Sequence, residues 1–123
     1  MHSGSCLCGA VRWRAEALRD SVSICHCEMC RRWSGHLWAA TRGTGTHIEG
    51  PVRWYRSSDH AERGFCTTCG SSLFYRPIGA RHVGVAAGSV DAPTGLHAGK
   101  HIYADRKGDW YEIEGDLPRE DAP

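Results

Sequence analysis

The chemistry of this chain is concentrated in the stretch Cys25-His26-Cys27-Glu28-Met29-Cys30-Arg31-Arg32-Trp33-Ser34-Gly35. Residues i and i+2 of an extended strand point to the same face, so Cys25 and Cys27 can converge while His26 points away. The spacing Cys27-x-x-Cys30 allows two sulfurs to coordinate one tetrahedral metal ion. Residues 28–34 are expected to form one short helical turn that ends at Gly35. Whatever fills the fourth position beside three thiolates would decide whether such a site is structural or reactive.

The composition limits the classes of protein that the chain can represent. Its 123 residues suffice for one domain, and 41% hydrophobic residues with 15 glycines indicate a modest core with many turns. Such a domain benefits from metal cross-links. A net charge of +1 gives no electrostatic reason to expect a nucleic-acid or membrane partner. Without a signal-peptide pattern or a bilayer-spanning run, the expected compartment is the cytoplasm, where seven cysteines are metal ligands or catalytic groups rather than cystines.

Short alternating segments predict a mostly β, single-domain chain. Residues 11–16 are typical of a half-buried strand, with the apolar side chains on one face. Further strands are expected at residues 22–27, 36–41, 52–56, 71–76, 82–87, 101–104 and 110–113. Residues 1–5 are expected to be a polar lead-in, residues 43–46 a loop and residues 115–123 a polar tail. Four tryptophans are expected first of all in the core: Trp13, Trp38, Trp54 and Trp110.

The cysteines occur in three tight groups, which is hard to explain by core packing alone. The groups are Cys6-x-Cys8, Cys25-x-Cys27-x-x-Cys30 and Cys66-x-x-Cys69. Thiolates are soft ligands and favour zinc, although a four-cysteine iron–sulfur cluster uses the same ligands. A redox dithiol is disfavoured because no thioredoxin-like βαβ pattern surrounds the cysteines.

Spacing leaves two partitions of the seven cysteines open. In the first, Cys27 and Cys30 join the Cys66/Cys69 pair in a ribbon-like site, which leaves the other three cysteines without a role. In the second, the pair closes a site with Cys6 and Cys8, and Cys25, Cys27 and Cys30 form a separate three-ligand site. The second partition is preferred because it uses all seven cysteines.

Four ordered motifs resemble the glutathione-dependent formaldehyde-activating enzyme family, which includes the centromere protein V domain. They cover most of residues 4–113 and are Gly4-Ser5-Cys6-Leu7-Cys8-Gly9-Ala10-Val11, Cys25-His26-Cys27-x-x-Cys30-Arg31-Arg32-x-Ser34-Gly35, Phe65-Cys66-x-x-Cys69-Gly70-Ser71-x-Leu73-Phe74 and Gly88-Ser89-Val90-Asp91. His101-Ile102 and Asp105-Arg106 followed by Trp110 also fit. The resemblance implies a zinc-stapled β-tent of small antiparallel sheets with a core at about residues 4–113 of a single 1–123 domain.

The resemblance also implies ligands and an activity. Cys6, Cys8, Cys66 and Cys69 fall on the family's structural zinc ligands, and Cys25, Cys27 and Cys30 fall on those of the zinc credited with catalysis. Two zinc ions per chain are therefore expected. The implied activity is that of a carbon–sulfur lyase acting on S-hydroxymethylglutathione, an adduct of a small aldehyde and a thiol.

Two side chains are candidates for contact with such a substrate. Arg31 directly follows the three cysteines and is suited to bind a carboxylate of a glutathione-like thiol, although Arg31 and Arg32 could equally form a solvated charged pair. His101 could line the site from a late strand, or could lie on the surface of that strand. His26 is expected to pack or to donate hydrogen bonds rather than to bind metal. The alternative function is a non-catalytic zinc-binding module for protein interaction.

Overall fold

Nine strands and one short α-helix make up the regular structure of residues 1–122, which the computed structural model describes; Pro123, the end of the expected tail, lies outside them. The elements are β1 (His2–Ser5), β2 (Arg12–Leu18), β3 (Ser21–Cys25), α1 (Glu28–Ser34), β4 (Trp38–Glu49), β5 (Val52–Arg56), β6 (Ala61–Cys66), β7 (Ser72–Pro77), β8 (Val83–Ala86) and β9 (His97–Ile102). Within these residues no helix is long and apolar enough to cross a membrane.

The long strand β4 joins the parts of the sheet. The main path runs in the order β1-β2-β4-β8-β7-β6-β5, and every neighbouring pair on it is antiparallel. β4 pairs with β2 through residues 43–49, with β3 through residues 38–40 and with β8 through residues 40–43. β3 pairs on its other side with β9 in parallel. The predicted mostly β, antiparallel, single-domain fold is confirmed.

Two apolar clusters lie on this sheet, and each contains cysteines. The main core includes Val11, Trp13, Leu73 and Phe74 together with buried cysteines of the first and third sequence groups. A smaller cluster surrounds Cys25 and Cys30 and includes Trp38. The cysteines of the two partitioned groups therefore belong to different packing units.

Three local predictions were wrong. Residues 1–5 are not a lead-in, because β1 pairs with β2 along its whole length. Residues 43–46 are not a loop, because they continue β4 and pair with β2 despite their polar Gly/Thr composition. Residues 110–113 form no strand, and the side chain of Trp110 is 61% exposed instead of lying in the core.

The polar tail is bound along the edge of β9. His101 N–H donates to Pro118 O, and Glu120 N–H donates to His101 O, each at 2.9 Å. Lys100 Nζ also binds Glu120 Oε2 at 2.9 Å. The tail therefore covers the free edge of β9, next to the strand that ends at Cys25.

Candidate metal centres

The first candidate centre is formed by two cysteine loops that meet at the main core. Cys6, Cys8, Cys66 and Cys69 place all their sulfurs within 4.8 Å of one another, as the second partition predicted. All seven cysteines are free thiols. Cys6 Sγ and Cys8 Sγ are 3.6 Å apart, and Cys8 Sγ and Cys66 Sγ are 3.9 Å apart. A tetrahedral zinc with Zn–S bonds of 2.3 Å requires sulfur–sulfur edges of about 3.8 Å, so the group fits one ion.

The backbone around these sulfurs is arranged as in metal knuckles. Val11 N–H donates to Cys6 Sγ at 3.2 Å, and Thr68 N–H and Cys69 N–H both donate to Cys66 Sγ at 3.4 Å. Such donors stabilise charged sulfur, which is what a metal ligand must become. Gly9 and Gly70, which directly follow the two loops, have φ of 81°, a conformation that side chains disfavour. A glycine in the left-handed conformation thus turns the chain directly after Cys8 and directly after Cys69.

The second candidate centre is the three-cysteine group at the end of β3. The sulfurs of Cys25, Cys27 and Cys30 lie within 4.8 Å of one another, and within residues 1–122 no fourth Cys, His, Asp or Glu joins them. Cys25 and Cys30 are 7% and 5% exposed, whereas Cys27 is half-buried. Hydrogen bonds from the Cys25 and Cys30 thiols lower the pKa of Cys27 to about 2 and leave the pKa of Cys25 raised. Cys27, the thiol whose pKa is lowered, is also the most accessible of the three residues.

Helix α1 is built around these cysteines. Cys27 caps its N-terminus, because Cys27 Sγ accepts a hydrogen bond from Cys30 N–H at 3.4 Å. Gly35 ends the helix in the left-handed conformation, with φ of 82°, and donates its N–H to Arg31 O at 2.8 Å. Glu28 and Arg32 pair at 3.0 Å on the exposed face. The predicted bounds of the helix, residues 28–34, are confirmed.

The residue between two of the cysteines is held by a buried hydrogen-bond network. His26 is 1% exposed. Its Nδ1 lies 2.9 Å from Tyr111 Oη, and its Nε2 lies 2.8 Å from His101 Nδ1. Burial lowers the pKa of both histidines. His26 is therefore a hydrogen-bonding residue, as predicted, and fixes the backbone from which Cys25 and Cys27 project.

The two predicted substrate residues make other contacts. Arg31 Nε donates to His26 O at 3.1 Å and Arg31 Nη2 donates to Arg106 O at 3.2 Å, so the guanidinium ties α1 to the segment after β9. His101 is 8% exposed and contacts His26 rather than a cysteine. Their contact with a substrate stays a prediction.

Sequence reasoning missed Arg63, which lies beside the three-cysteine group. Arg63 is 4% exposed, and its Nη1 donates to Cys30 Sγ at 3.4 Å. Tyr75 and Tyr103 also pack around the group, and burial raises the pKa of each phenol. The available signal was the charge itself, an arginine at an inward-facing position of an alternating strand.

An open cavity of about 810 Å³ borders the first cysteine group and extends to Trp38. Cys6 and Cys69 line it on one side. Trp38 lines it on the other side and packs against Cys25 and Cys30. The indole Nε1 of Trp38 is buried and has no hydrogen-bond partner within residues 1–122. The rest of the wall is mainly hydroxyl-bearing and aliphatic, with one carboxylate, that of Asp91.

One solved structure and two named proteins are similar to the chain. A Rhodobacter sphaeroides protein of known crystal structure superposes with a TM-score of 0.61 at 24% identity, over 73% of this chain and 88% of that one, which shows a shared fold. An uncharacterized lyase of Schizosaccharomyces pombe is 36% identical over 77 residues, which are 60% of this chain and only 56% of the yeast protein.

A second relative covers more of the chain. A Halomonas elongata protein that carries the name of a glutathione-dependent formaldehyde-activating enzyme is 29% identical over 90% of this chain and 80% of its own length. The family model described as glutathione-dependent formaldehyde-activating enzyme matches residues 1–106, which include all seven cysteines of both centres. The chain therefore belongs to the glutathione-dependent formaldehyde-activating enzyme family.

Proposed function

We propose that the chain is a zinc-dependent enzyme of the carbon–sulfur lyase type, acting on the adduct of a glutathione-like thiol and a small aldehyde such as S-hydroxymethylglutathione. The three-cysteine group carries the proposal, because three protein ligands are typical of catalytic zinc and four of structural zinc. The names of the family and of the Halomonas elongata relative support the thiol and the aldehyde. Chemistry that needs free thiols requires a reducing compartment, so we place the enzyme in the cytoplasm.

The residues of the second centre suit this chemistry. Bound by the three cysteines, zinc would supply a coordination position that keeps a substrate thiol in its nucleophilic thiolate form. In the forward direction a carbon–sulfur bond forms between the thiol and the carbonyl carbon, and the thiol proton ends on the carbonyl oxygen. The reverse reaction breaks the same bond. Trp38, Tyr75 and Tyr103 pack around the cysteines and limit the access of water, while half-buried Cys27 leaves one open side.

The cavity is the natural place for the body of the thiol. Its volume of about 810 Å³ lies in the range of small-molecule sites, and it reaches the second centre at Trp38. No lysine or arginine of residues 1–122 lines it. Arg31, in the middle of α1 and bonded to His26 O, is the proposed partner for a substrate carboxylate, and His101, which contacts His26, is the second proposed substrate-binding residue.

The direct test is nuclear magnetic resonance with ¹³C-formaldehyde and glutathione. Magnetisation transfer measures the rate at which the labelled carbon exchanges between formaldehyde hydrate and the thiol adduct. We expect the zinc-loaded protein to accelerate this exchange and Cys27→Ser to abolish the acceleration. An unchanged exchange rate, together with no heat of binding at millimolar glutathione, would reject the proposal. Replacing glutathione by 2-mercaptoethanol, which lacks carboxylates, tests Arg31: the Arg31→Ala variant should weaken only the reaction of glutathione.

A non-catalytic zinc-binding module is the second candidate, and the burial of Cys25 and Cys30 favours it. In that case the three-cysteine group would bind a structural zinc ion. The Cys27→Ser variant separates the two functions. Loss of one zinc with the fold retained supports an enzyme with an open site, whereas global unfolding supports a staple.

A further inference from the structure

The buried arginine of β6 has no role in the function proposed above. Arg63 lies between two aromatic rings, with its Cζ 5.1 Å from the ring centre of Trp33 and 5.2 Å from that of Tyr75. Its Nε donates to Ser57 Oγ at 3.2 Å, and its Nη1 donates to Cys30 Sγ at 3.4 Å. Two aromatic rings and two hydrogen bonds thus hold the guanidinium, and one of the hydrogen bonds goes to Cys30, a candidate metal ligand.

A charge buried to this degree requires a counter-charge. A guanidinium that is 4% exposed loses its hydration, and an unpaired buried ion costs several kcal/mol. No carboxylate of residues 1–122 forms an ion pair with Arg63; its neighbour Glu62 pairs with Arg76 instead. Three neutral thiols would leave the guanidinium unpaired. Three thiolates around a divalent ion carry a net charge of −1, which the guanidinium neutralises.

The local geometry of β6 explains how the strand can serve two centres. A strand normally points successive side chains to opposite faces, so Arg63 and Cys66 would lie on different sides of the sheet. β6 pairs with β5 without a register shift, and where its register against β7 shifts, the extra residue is Leu73 of β7, so β6 keeps its alternation. Both Arg63 and Cys66 are buried, the first against the three-cysteine group and the second in the four-cysteine group.

We propose that Arg63 is the counter-ion and positioning residue of the three-cysteine centre, holding the Cys30 sulfur in place and neutralising the surplus negative charge of the metal-loaded group. This inference rests on the part of the proposed function that loads the group with a divalent metal. It is independent of the lyase reaction. A positioning residue of this kind typically changes metal affinity by about 10- to 100-fold.

The test compares Arg63→Met, Arg63→Gln and Arg63→Lys. Zinc affinity of each centre is measured by competition with a chromophoric chelator, and the sulfur-to-metal charge-transfer absorption is recorded after cobalt loading. Met and Gln, which lack the charge, should weaken the second centre about 10- to 100-fold and shift its absorption, while the first centre is unaffected. Lys, which keeps the charge, should restore most of the affinity.

Arg76→Met is the matched control. Arg76 stacks on Trp54 at 3.7 Å and pairs with Glu62, so it is also an arginine on an aromatic ring, but its contacts include no cysteine. The proposal fails if Arg76→Met weakens the second centre as much as Arg63→Met, or if Arg63→Gln binds zinc as tightly as Arg63→Lys. If Arg63→Met does not fold, the difference in zinc affinity between Arg63→Gln and Arg63→Lys still tests the proposal. If the protein does not change the ¹³C exchange rate but the Arg63 variants change the zinc affinity as expected, the proposed lyase activity is refuted and the proposed role of Arg63 is supported.

Discussion

The Tyr111→Phe variant tests whether the segment after β9 holds the second centre in place. The substitution removes one oxygen and keeps the ring. Tyr111 Oη lies 2.9 Å from His26 Nδ1 and accepts a hydrogen bond from Gly108 N–H at 3.1 Å. The variant therefore deprives two polar groups of their partner, one of them on a histidine that is 1% exposed.

The expected loss of stability follows from these two contacts. A polar group left without its partner costs roughly 1–3 kcal/mol, and Tyr111 is half-buried, so water can compensate in part. We expect a loss of about 2 kcal/mol in the free energy of unfolding. A chain of 123 residues has an unfolding entropy of about 0.26 kcal/mol/K, so the melting temperature should fall by about 8 °C.

The metal affinity gives a second, more specific readout. His26 stands between two cysteines of the second centre, and loosening it should weaken zinc binding there about 10- to 100-fold, with the first centre unchanged. Thermal unfolding followed by circular dichroism and chelator competition measure the two effects. Tyr55→Phe is the control, because Tyr55 is 62% exposed and its change should stay within about 0.5 kcal/mol. A Tyr111→Phe protein with the melting temperature and zinc affinity of the parent would refute the reasoning.

Three further predictions concern the two centres and the sheet. Cys69→Ser should unfold the chain or lower its melting temperature strongly, because the first centre lies in the main core. Cys27→Ser, in the smaller cluster, should keep the fold and bind one zinc ion fewer by native mass spectrometry. Equal loss of the fold in both variants would contradict this. Gly4→Ala should cost roughly 1–3 kcal/mol in urea unfolding, because its Cβ would meet a core indole ring at 2.5 Å, while Gly88→Ala, with open space, should change nothing. Burial and two nearby arginines lower the pKa of His82, so the unfolded chain binds protons more readily than the folded one, and the free energy of unfolding should fall from pH 7 to pH 5. His82→Gln should reduce that fall. An unaltered pH dependence of stability would exclude the effect.

The elements that the sequence predicted correctly are those whose signals are local. Helix α1 has a cap residue, an acidic first turn, a basic last turn and a terminal glycine, all within the stretch from Cys27 to Gly35. β5 alternates over the residues that form it, 52–56, between a proline and a polar turn. Spacing alone left two partitions of the cysteines open; the count of seven favoured the correct one, and the family resemblance implied it.

The elements that the sequence did not reveal depend on partners far along the chain. β1 and the second half of β4 are polar and contain glycine, and their strand conformation comes from pairing with β2 on both of its edges. Trp110 stays exposed because the segment is anchored through Tyr111, its neighbour, which reaches His26. The surroundings of Arg63 come from distant parts of the chain, because Trp33 of α1 and Tyr75 of β7 enclose its guanidinium.

The two centres differ in where their cysteines lie, and this difference argues for different roles. Cys6 and Cys66 are part of the main core, so a metal there joins two loops that are far apart in the sequence to the packing that maintains the fold. Cys25 and Cys30 lie in a small cluster at the end of β3, with half-buried Cys27 open on one side and a buried guanidinium on the other. The first centre has four cysteines, yet no arginine of residues 1–122 donates a hydrogen bond to their sulfurs, so a structural centre can do without a counter-ion. A centre that must keep a free position while holding three thiolates gains from one, since the cation offsets the charge that would otherwise repel an incoming thiolate. The placement of Arg63 therefore supports the reactive role proposed above for the three-cysteine centre.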